Sequence, residues 1–398
     1  MRCKNPLLLL VQGVLFCTFC SQGYGQFVEY SNDFLNIGAG ARGLGMGSTQ
    51  SATADDATAG YWNPAGLVNV SQYPTISAMH ADYFAGIGKY DFIAGAFPIN
   101  GGNQTLGITL LRFGVDNIPN TLFLVQPDGS INYNDIQSFS SADYAFLFSY
   151  AQPIKNEEDR QFSWGGNAKI IYRQVGSFAK AWGFGFDGAL LYKTPSWRLG
   201  LVAKDITTTF NAWAFTFSSA EQQVLYTTDN AIPVRSTELT APSLVLAAGY
   251  NFAFGDKFHL LAETDMNVTF DGKRNTVFSS NPVSIDPKIG LEANINNTIF
   301  IRAGASNFQQ ALADGDTLNQ RKVWIFQPSI GAGFKIGNVS IDYAFTNLAN
   351  QSSPLYTNVF SLKVDIAPKN KEGSKKGYLP TLPKADKPKT GKVYIPQI

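Results

Sequence analysis

Few residues in this chain of 398 have the types and spacing that catalysis or metal binding requires. His80 and His259 are its two histidines. His259 precedes Glu263 and Asp265 on a predicted strand face, but no serine nucleophile accompanies it, and His80 is isolated near a strand end. We therefore expect no catalytic residue, no enzyme activity, no metal site and no cofactor.

The three cysteines all lie within the first 20 residues. A basic start, an apolar run and a group of small residues follow one another there, which is typical of a secretory signal peptide. We predict that residues 1–25 are this signal, with cleavage after Gly25. The exported chain would then have neither a disulfide nor a thiol nucleophile.

A glycine-rich stretch near the start of the mature chain resembles a nucleotide-binding loop. However, no strand precedes it and no Lys-Ser/Thr pair follows it, so we reject that interpretation. Glycines also permit close backbone packing, and Asn63-Pro64 has the chemistry of a helix start. We predict a structural role for the motif residues Arg42, Gly45, Gly47, Asp55, Asp56, Trp62, Asn63, Pro64 and Gly66.

The composition excludes several classes of protein. Charged residues make up 15% of the chain and aromatic residues 13%. A net charge of +1 argues against nucleic-acid binding, which requires a basic face. The mature chain contains no run of about 18 apolar residues, so we expect no transmembrane helix.

From residue 73 onward, apolar and polar residues alternate with period two, as in β-strands. Such alternation fits a soluble sandwich with an apolar core, or a membrane barrel with lipid outside and a polar lumen. We identify fourteen candidate strands, and every connection longer than about nine residues follows an odd-numbered strand. Because outer-membrane barrels have short turns at one end and long loops at the other, this favours the barrel.

The predicted inward face carries charges of both signs, including Asp91, Lys169, Glu263 and Arg302. A lumen with a single sign of charge would suggest an ion-selective pore. Balanced charges instead suggest salt bridges around something that fills the lumen. Residues 26–72, which precede the first strand, are our candidate for a plug, and residues 73–366 form the predicted barrel.

The segments 34–47, 54–57 and 61–67 resemble the PorV/PorQ family of outer-membrane proteins, which is related to the FadL fatty-acid transporters. This resemblance implies an all-β fold, a fourteen-stranded antiparallel transmembrane β-barrel of FadL type with an N-terminal plug. It also implies a role in the type IX secretion system of Bacteroidota, where PorV-like proteins bind secreted cargo beside the translocon barrel. Gly40 and Gly66 depart from the acidic residue and the lysine of the PorV pattern, which points to a paralogue.

Residues 367–398 form a tail with eight lysines and five prolines. This composition is typical of a linker or a disordered arm. Such a tail could bind peptidoglycan, a periplasmic partner or lipid headgroups, or it could remain solvated without a specific partner.

Two functions therefore remain open. In the first, the barrel is an interaction subunit in the outer membrane that contacts a translocon barrel or secreted cargo through extracellular loops. In the second, it transports hydrophobic small molecules, as FadL does. Exposed aromatic residues on the predicted loops 114–139 and 206–241 could serve either function or pack together as a lid. These residues are Phe123, Leu124, Phe210, Trp213, Phe215 and Phe217.

Overall fold

A computed structural model describes residues 26–27, 31–70, 72–126, 128–312, 321–347 and 357–367. The predicted signal peptide and all but the first residue of the predicted tail lie outside the described residues. None of the helices in the described ranges is long and apolar enough to cross a membrane.

The described chain is mostly β-sheet. Its strands in chain order are β1 (Gln26–Phe27), β2 (Thr75–Tyr83), β3 (Gly88–Ile99), β4 (Gln104–Asn120), β5 (Gln137–Asn156), β6 (Gln161–Val175), β7 (Ala179–Lys193), β8 (Trp197–Lys204), β9 (Thr209–Phe215), β10 (Arg235–Thr240), β11 (Ser243–Phe254), β12 (Phe258–Thr269), β13 (Phe278–Ser279), β14 (Ser284–Ile295), β15 (Ile299–Leu312), β16 (Lys322–Ile336), β17 (Val339–Thr346) and β18 (Thr357–Asp365). The α-helices are α1 (Ala41–Gly45), α2 (Ala59–Trp62) and α3 (Ser219–Thr227), and the 3-10 helices are Asp33–Asn36, Pro64–Asn69, Asn100–Gly102 and Tyr133–Asp135.

The sheet closes on itself because β18 pairs antiparallel with β2. β8 and β9 share one position in the barrel wall, since both pair with β7. β10 and β11 share the next position, pairing with β9 and β8 respectively. With these pairs counted once, and β1 and the short β13 left aside, the wall has fourteen antiparallel strands. The predicted fourteen-stranded antiparallel barrel is confirmed.

The alternating pattern places one set of side chains inside the barrel and the other outside. In β3, Tyr90 and Phe92 point inward and are buried, while Ile93, which follows Phe92 and points outward, is 56% exposed. Asp91 therefore points outward, where it contacts His80 and Arg112. Our prediction that Asp91 faces the lumen is wrong, because both faces of β3 carry apolar residues and hydrophobicity alone does not identify the inner one.

The barrel has a short-turn end and a long-loop end, and its wall is higher on one side at the long-loop end. β4 and β5 have 17 and 20 residues, whereas β17 and β18 have 8 and 9. The prediction that residues 206–241 form a loop is largely wrong, because β9 and β10 lie within this range and continue the wall above β8 and β11. We call the extended parts of β4 to β7, with β9 and β10, the tall wall.

Candidate functional site

The N-terminal segment, residues 31–70, packs against the inner face of the barrel. Before it, β1 pairs with β10 in the tall wall, and Asn32 Nδ2 donates to Thr240 Oγ1 at 2.8 Å. At its other end, Lys193 Nζ donates to Asn69 Oδ1 at 2.7 Å, close to the short turn that follows β7. The segment thus runs through the lumen from the long-loop end to the short-turn end.

Aromatic side chains of this segment hold its own backbone in place. Trp62 Nε1 donates to the carbonyl of Ala39 at 2.8 Å, and Tyr61 Oη donates to the carbonyl of Leu35 at 2.6 Å. Tyr61 Oη also accepts from the Gly38 N–H at 2.9 Å. These bonds connect α2 to the backbone of residues 35–39, which precede α1, so these parts of the segment are held together.

Asn63 begins the 3-10 helix Pro64–Asn69, as the sequence predicts. Its Oδ1 accepts from the Ala65 N–H at 3.0 Å, and its Nδ2 donates to the Ser51 carbonyl at 2.7 Å. Pro64 occupies the first turn, where its missing N–H leaves no partner unsatisfied. Thr58, the residue before α2, provides no side-chain cap, although Asp56 Oδ1 accepts from the Thr58 N–H at 2.8 Å.

Arg42 lies at the centre of an ion-pair network between the segment and the barrel. Its Nε and Nη2 donate to the two carboxylate oxygens of Glu292, each at 2.9 Å, and its Nη1 donates to Asp55 at 2.9 Å. Arg302 continues the network, contacting Glu292 and Asp342 at 2.6 Å each. Burial alone would raise the pKa of Asp55, but the positive charges of Arg42 and Arg198 lower it below its ordinary value.

Two buried carboxylates of β12 hold the backbone of the segment. Glu263 Oε1 accepts from the Ala52 N–H at 2.7 Å, and its other oxygen accepts from the Thr53 hydroxyl. Asp265 Oδ2 accepts from the Ser51 N–H at 3.2 Å. The predicted balance of charges in the lumen therefore has a structural counterpart, in which the barrel charges bind the segment.

Glycines bring the two backbones close together. A Cβ on Gly165 of β6 would lie 2.5 Å from the carbonyl carbon of Pro64. A Cβ on Gly47 would lie 2.5 Å from the Ala305 nitrogen, and Gly47 also has a φ of +69°. No larger residue fits at either position without displacing the segment or the strand.

The segment separates two cavities that share no lining residue. The inner cavity, of about 510 Å³, lies at the short-turn end and is lined by the ion-pair network with His259 and Lys335. The outer cavity, of about 500 Å³, lies at the long-loop end. Its apolar and aromatic lining is formed by Ile37, Leu44, Tyr61, Trp62, Tyr83, Phe84, Val245 and Pro328. Its charged lining is formed by Asp33, Lys204, Asp265, Arg274, Asp286 and Lys288.

The outer cavity also has charged residues in its wall. Lys204 Nζ lies 5.6 Å from the centre of the Tyr61 ring, in a cation–π contact. Lys204, Tyr61 and Asn36 also line a side cavity of about 40 Å³, which reaches the interruption between β8 and β9. Lys169 holds that interruption by pairing with Asp187 at 2.8 Å and with Asp205.

The predicted loop residues do not form one exposed patch. Trp213 is buried inside the tall wall under the Arg173 guanidinium, 5.1 Å from its ring centre. Phe215 stacks on Trp213 at 6.2 Å and on Phe217 at 6.5 Å. Phe210 alone faces outward, being 39% exposed, and it packs beside Phe184. Trp213, Phe215 and Phe217 therefore pack against one another in the tall wall and its upper edge.

Phe123 and Leu124 lie in the loop 121–136 and are only partly buried. Val125, which follows them, is 64% exposed, and sequence reasoning missed the exposed apolar residues Ile131 and Tyr133, which are 57% and 71% exposed. Val125 and Ile131 form an antiparallel bridge there. Their alternation with polar residues is too short to predict a hairpin.

In the described part of the chain, no group of three or more His, Cys, Asp or Glu side chains is arranged to hold a metal ion. No protein-family model matches the chain, and no curated protein matches it in sequence. Solved structures do match its fold.

The chain is similar to the CymD monoaromatic hydrocarbon channel, with 14% identity, a TM-score of 0.51, and coverage of 83% of this chain and 98% of that one. It is similar to the Ralstonia pickettii toluene transporter TbuX at 13% identity and a TM-score of 0.51, covering 82% and 98%. The Pseudomonas putida toluene transporter TodX gives 13% identity and a TM-score of 0.50, covering 85% and 98%.

The fold is that of a FadL-type outer-membrane barrel. The protein is therefore an outer-membrane protein, as predicted, and its strands cross the bilayer with their apolar face toward lipid. By the general arrangement of such barrels, the short-turn end is periplasmic and the long-loop end extracellular. The solved structures that it resembles are described as channels and transporters rather than enzymes.

Proposed function

We propose that this barrel binds hydrophobic small molecules in its outer cavity and that the N-terminal segment plugs the lumen beneath them. The observation that carries the proposal is the outer cavity itself. Its volume of about 500 Å³ falls in the range of small-molecule sites, roughly 300–1,000 Å³, and it faces the extracellular side. The fold shared with the toluene transporters supports the same function.

Passage to the periplasm requires the segment to move, because it separates the outer cavity from the inner one. Both cavities have charged side chains in their walls, but the outer one also presents a group of aromatic rings, whereas Phe300 is the one Phe, Tyr or Trp among the described residues that line the inner cavity. We therefore place the binding site in the outer cavity, with Tyr61 and Trp62 at its apolar floor.

Two matched serine variants test this function. Ser306→Trp would fill the outer cavity, and Ser196→Trp would place the same side chain in the inner cavity. We expect purified wild-type barrel to bind toluene or a longer hydrocarbon, Ser306→Trp to lose binding, and Ser196→Trp to keep it. Equal binding by all three proteins would contradict the proposed site.

A second function is supported by a different observation. The segments 34–47, 54–57 and 61–67 resemble the PorV/PorQ family, and among their residues Arg42 and Asn63 anchor the plug to the barrel wall. The extracellular loops also expose apolar residues, among them Ile131 and Tyr133. A PorV-like interaction subunit of a type IX secretion machinery would use such loops to bind cargo or a translocon barrel.

Purification from native outer membranes in mild detergent tests the second function. Stoichiometric recovery of a large translocon barrel, or of secreted proteins that share a C-terminal domain, is the expected result. A lone barrel that carries hydrophobic molecules would leave only the transport function.

A further inference from the structure

We propose that the tall wall is a docking face for a protein partner whose contact surface is apolar and surrounded by lysine or arginine side chains. The inference rests on the second proposed function and names the chemistry of its partner. It concerns two loops at the top of the tall wall, residues 121–136 and 216–234, which we call the front loop and the back loop.

Both loops expose apolar side chains to solvent. In the front loop these are Val125, Ile131 and Tyr133, and in the back loop they are Tyr226 and Val234, which are 77% and 71% exposed. Several exposed apolar groups of this size on two neighbouring loops are typical of protein contact sites.

Packed aromatic side chains and a backbone hydrogen bond connect the two loops at their bases. Phe139, at the base of the front loop, packs on Phe178 at 5.2 Å, and Phe178 stacks on Phe217, at the base of the back loop, at 5.9 Å. The Thr216 N–H also donates to the Phe178 carbonyl at 2.9 Å. The aromatic residues that the sequence predicts as contacts thus connect the loops beneath the surface.

Hydrogen bonds also hold the described residues of each loop. In the front loop, Gln126 Nε2 donates to Asp135 at 2.8 Å, beside the Val125–Ile131 bridge. In the back loop, Ser218 and Glu221 form a reciprocal capping box at the start of α3. Residues that are already held by such bonds lose little conformational entropy when a partner binds, which favours their use in recognition.

The charge of the two loops identifies the partner's chemistry. Their sequences contain Asp128, Asp135, Glu221 and Asp229, and neither loop contains a lysine or an arginine. The lysine or arginine nearest in sequence is Arg112 of β4 for the front loop and Arg235, the first residue of β10, for the back loop. Acidic groups around apolar side chains complement a partner with basic residues around an apolar centre.

Site-specific photo-crosslinking in intact cells tests the inference. A photoreactive amino acid would replace Ile131 or Tyr226, and as a control it would replace Ile87, an isoleucine 63% exposed in the turn between β2 and β3. We expect Ile131 and Tyr226 to crosslink the same protein, through peptides rich in lysine or arginine, and Ile87 to give no such adduct.

The charges are tested with Asp128→Asn and Asp229→Asn together. Asparagine removes the charge, keeps the acceptor that Asp128 offers to the Ser130 N–H, and tolerates the positive φ of Asp229. We expect adduct yield to fall about fivefold, with hydrocarbon binding and barrel yield unchanged. A partner whose adducts persist at full yield in this variant would overturn the basic-partner inference while preserving the interaction function. Absence of adducts from both loops, or adducts only with a second copy of the barrel, would overturn both.

Discussion

Arg42 and Glu292, which are 250 positions apart in the chain, meet in a two-point ion pair with both distances at 2.9 Å. The side chains are 19% and 6% exposed, so both charges are largely removed from water. Removing one charge would leave the other buried with fewer partners, which makes this pair a sensitive point of the structure.

We predict that Arg42→Gln lowers the free energy of unfolding by about 3 kcal/mol, because Glu292 and Asp55 lose their shared cation. The measurement is electrophoresis of samples that have first been heated to a series of temperatures, in which the folded band of the variant should disappear at a lower temperature than that of wild type. Glu292→Gln should also destabilise the barrel, and the double variant should cost less than the sum of the two. Strict additivity would show that the two side chains do not interact.

The lowered pKa of Asp55 predicts a dependence of stability on pH. A carboxylate with a lowered pKa in the folded state contributes stability above its unfolded pKa of about 3.9, and this contribution is lost as the pH falls further. Asp55→Asn should therefore be less stable than wild type at pH 7, and the two melting temperatures should begin to converge as the pH falls below about 4 toward the lower pKa of the folded state. A constant difference across this range would rule out a charge effect.

Asn63 is expected to be required for stability or assembly, and not for any chemical step. Asn63→Ala should cost about 2 kcal/mol, because the Ala65 N–H and the Ser51 carbonyl both lose their partner. Asn63→Asp keeps the acceptor for Ala65 and should cost less. Normal barrel yield and heat resistance in Asn63→Ala would contradict this role.

Gly165→Ala should displace the N-terminal segment, since the new methyl group would lie 2.6 Å from the Ala65 nitrogen. The neighbouring Gly166→Ala is a matched control, because its nearest contact is 3.1 Å, to the Asp187 carbonyl on the next strand. Ion conductance in planar bilayers is a suitable measurement. We expect Gly165→Ala to conduct more than wild type and Gly166→Ala to behave like wild type.

The strands could be predicted from sequence because alternation is a local property of the chain. The fourteen wall positions follow from it, as does the difference between the two ends. Prediction failed where both faces of a strand are apolar. Tyr90 and Phe92 face the N-terminal segment while Ile93 faces lipid, so the inner face of β3 has no polar signature.

The contents of the lumen could be predicted only in outline. Charges of both signs indicate ion pairing, but the identity of the partners depends on the path of the N-terminal segment through the barrel. That path brings Arg42 to Glu292 and Ser51 to Asp265. Strand β9 was also not predicted from sequence. Residues 205–208 separate it from β8, and the short run that remains has aromatic residues on both faces.

The path of the N-terminal segment has a consequence for assembly. The chain passes beside β10 at the extracellular end and emerges at the periplasmic end as β2, so it is threaded through the ring that its own later residues form. Two routes lead to this arrangement. Either β2 and β18 join around a segment already in place, or the free end is drawn through a finished ring. The first route does not require charged side chains to pass through a closed barrel. In that route the segment is in place first, and the barrel strands assemble around it.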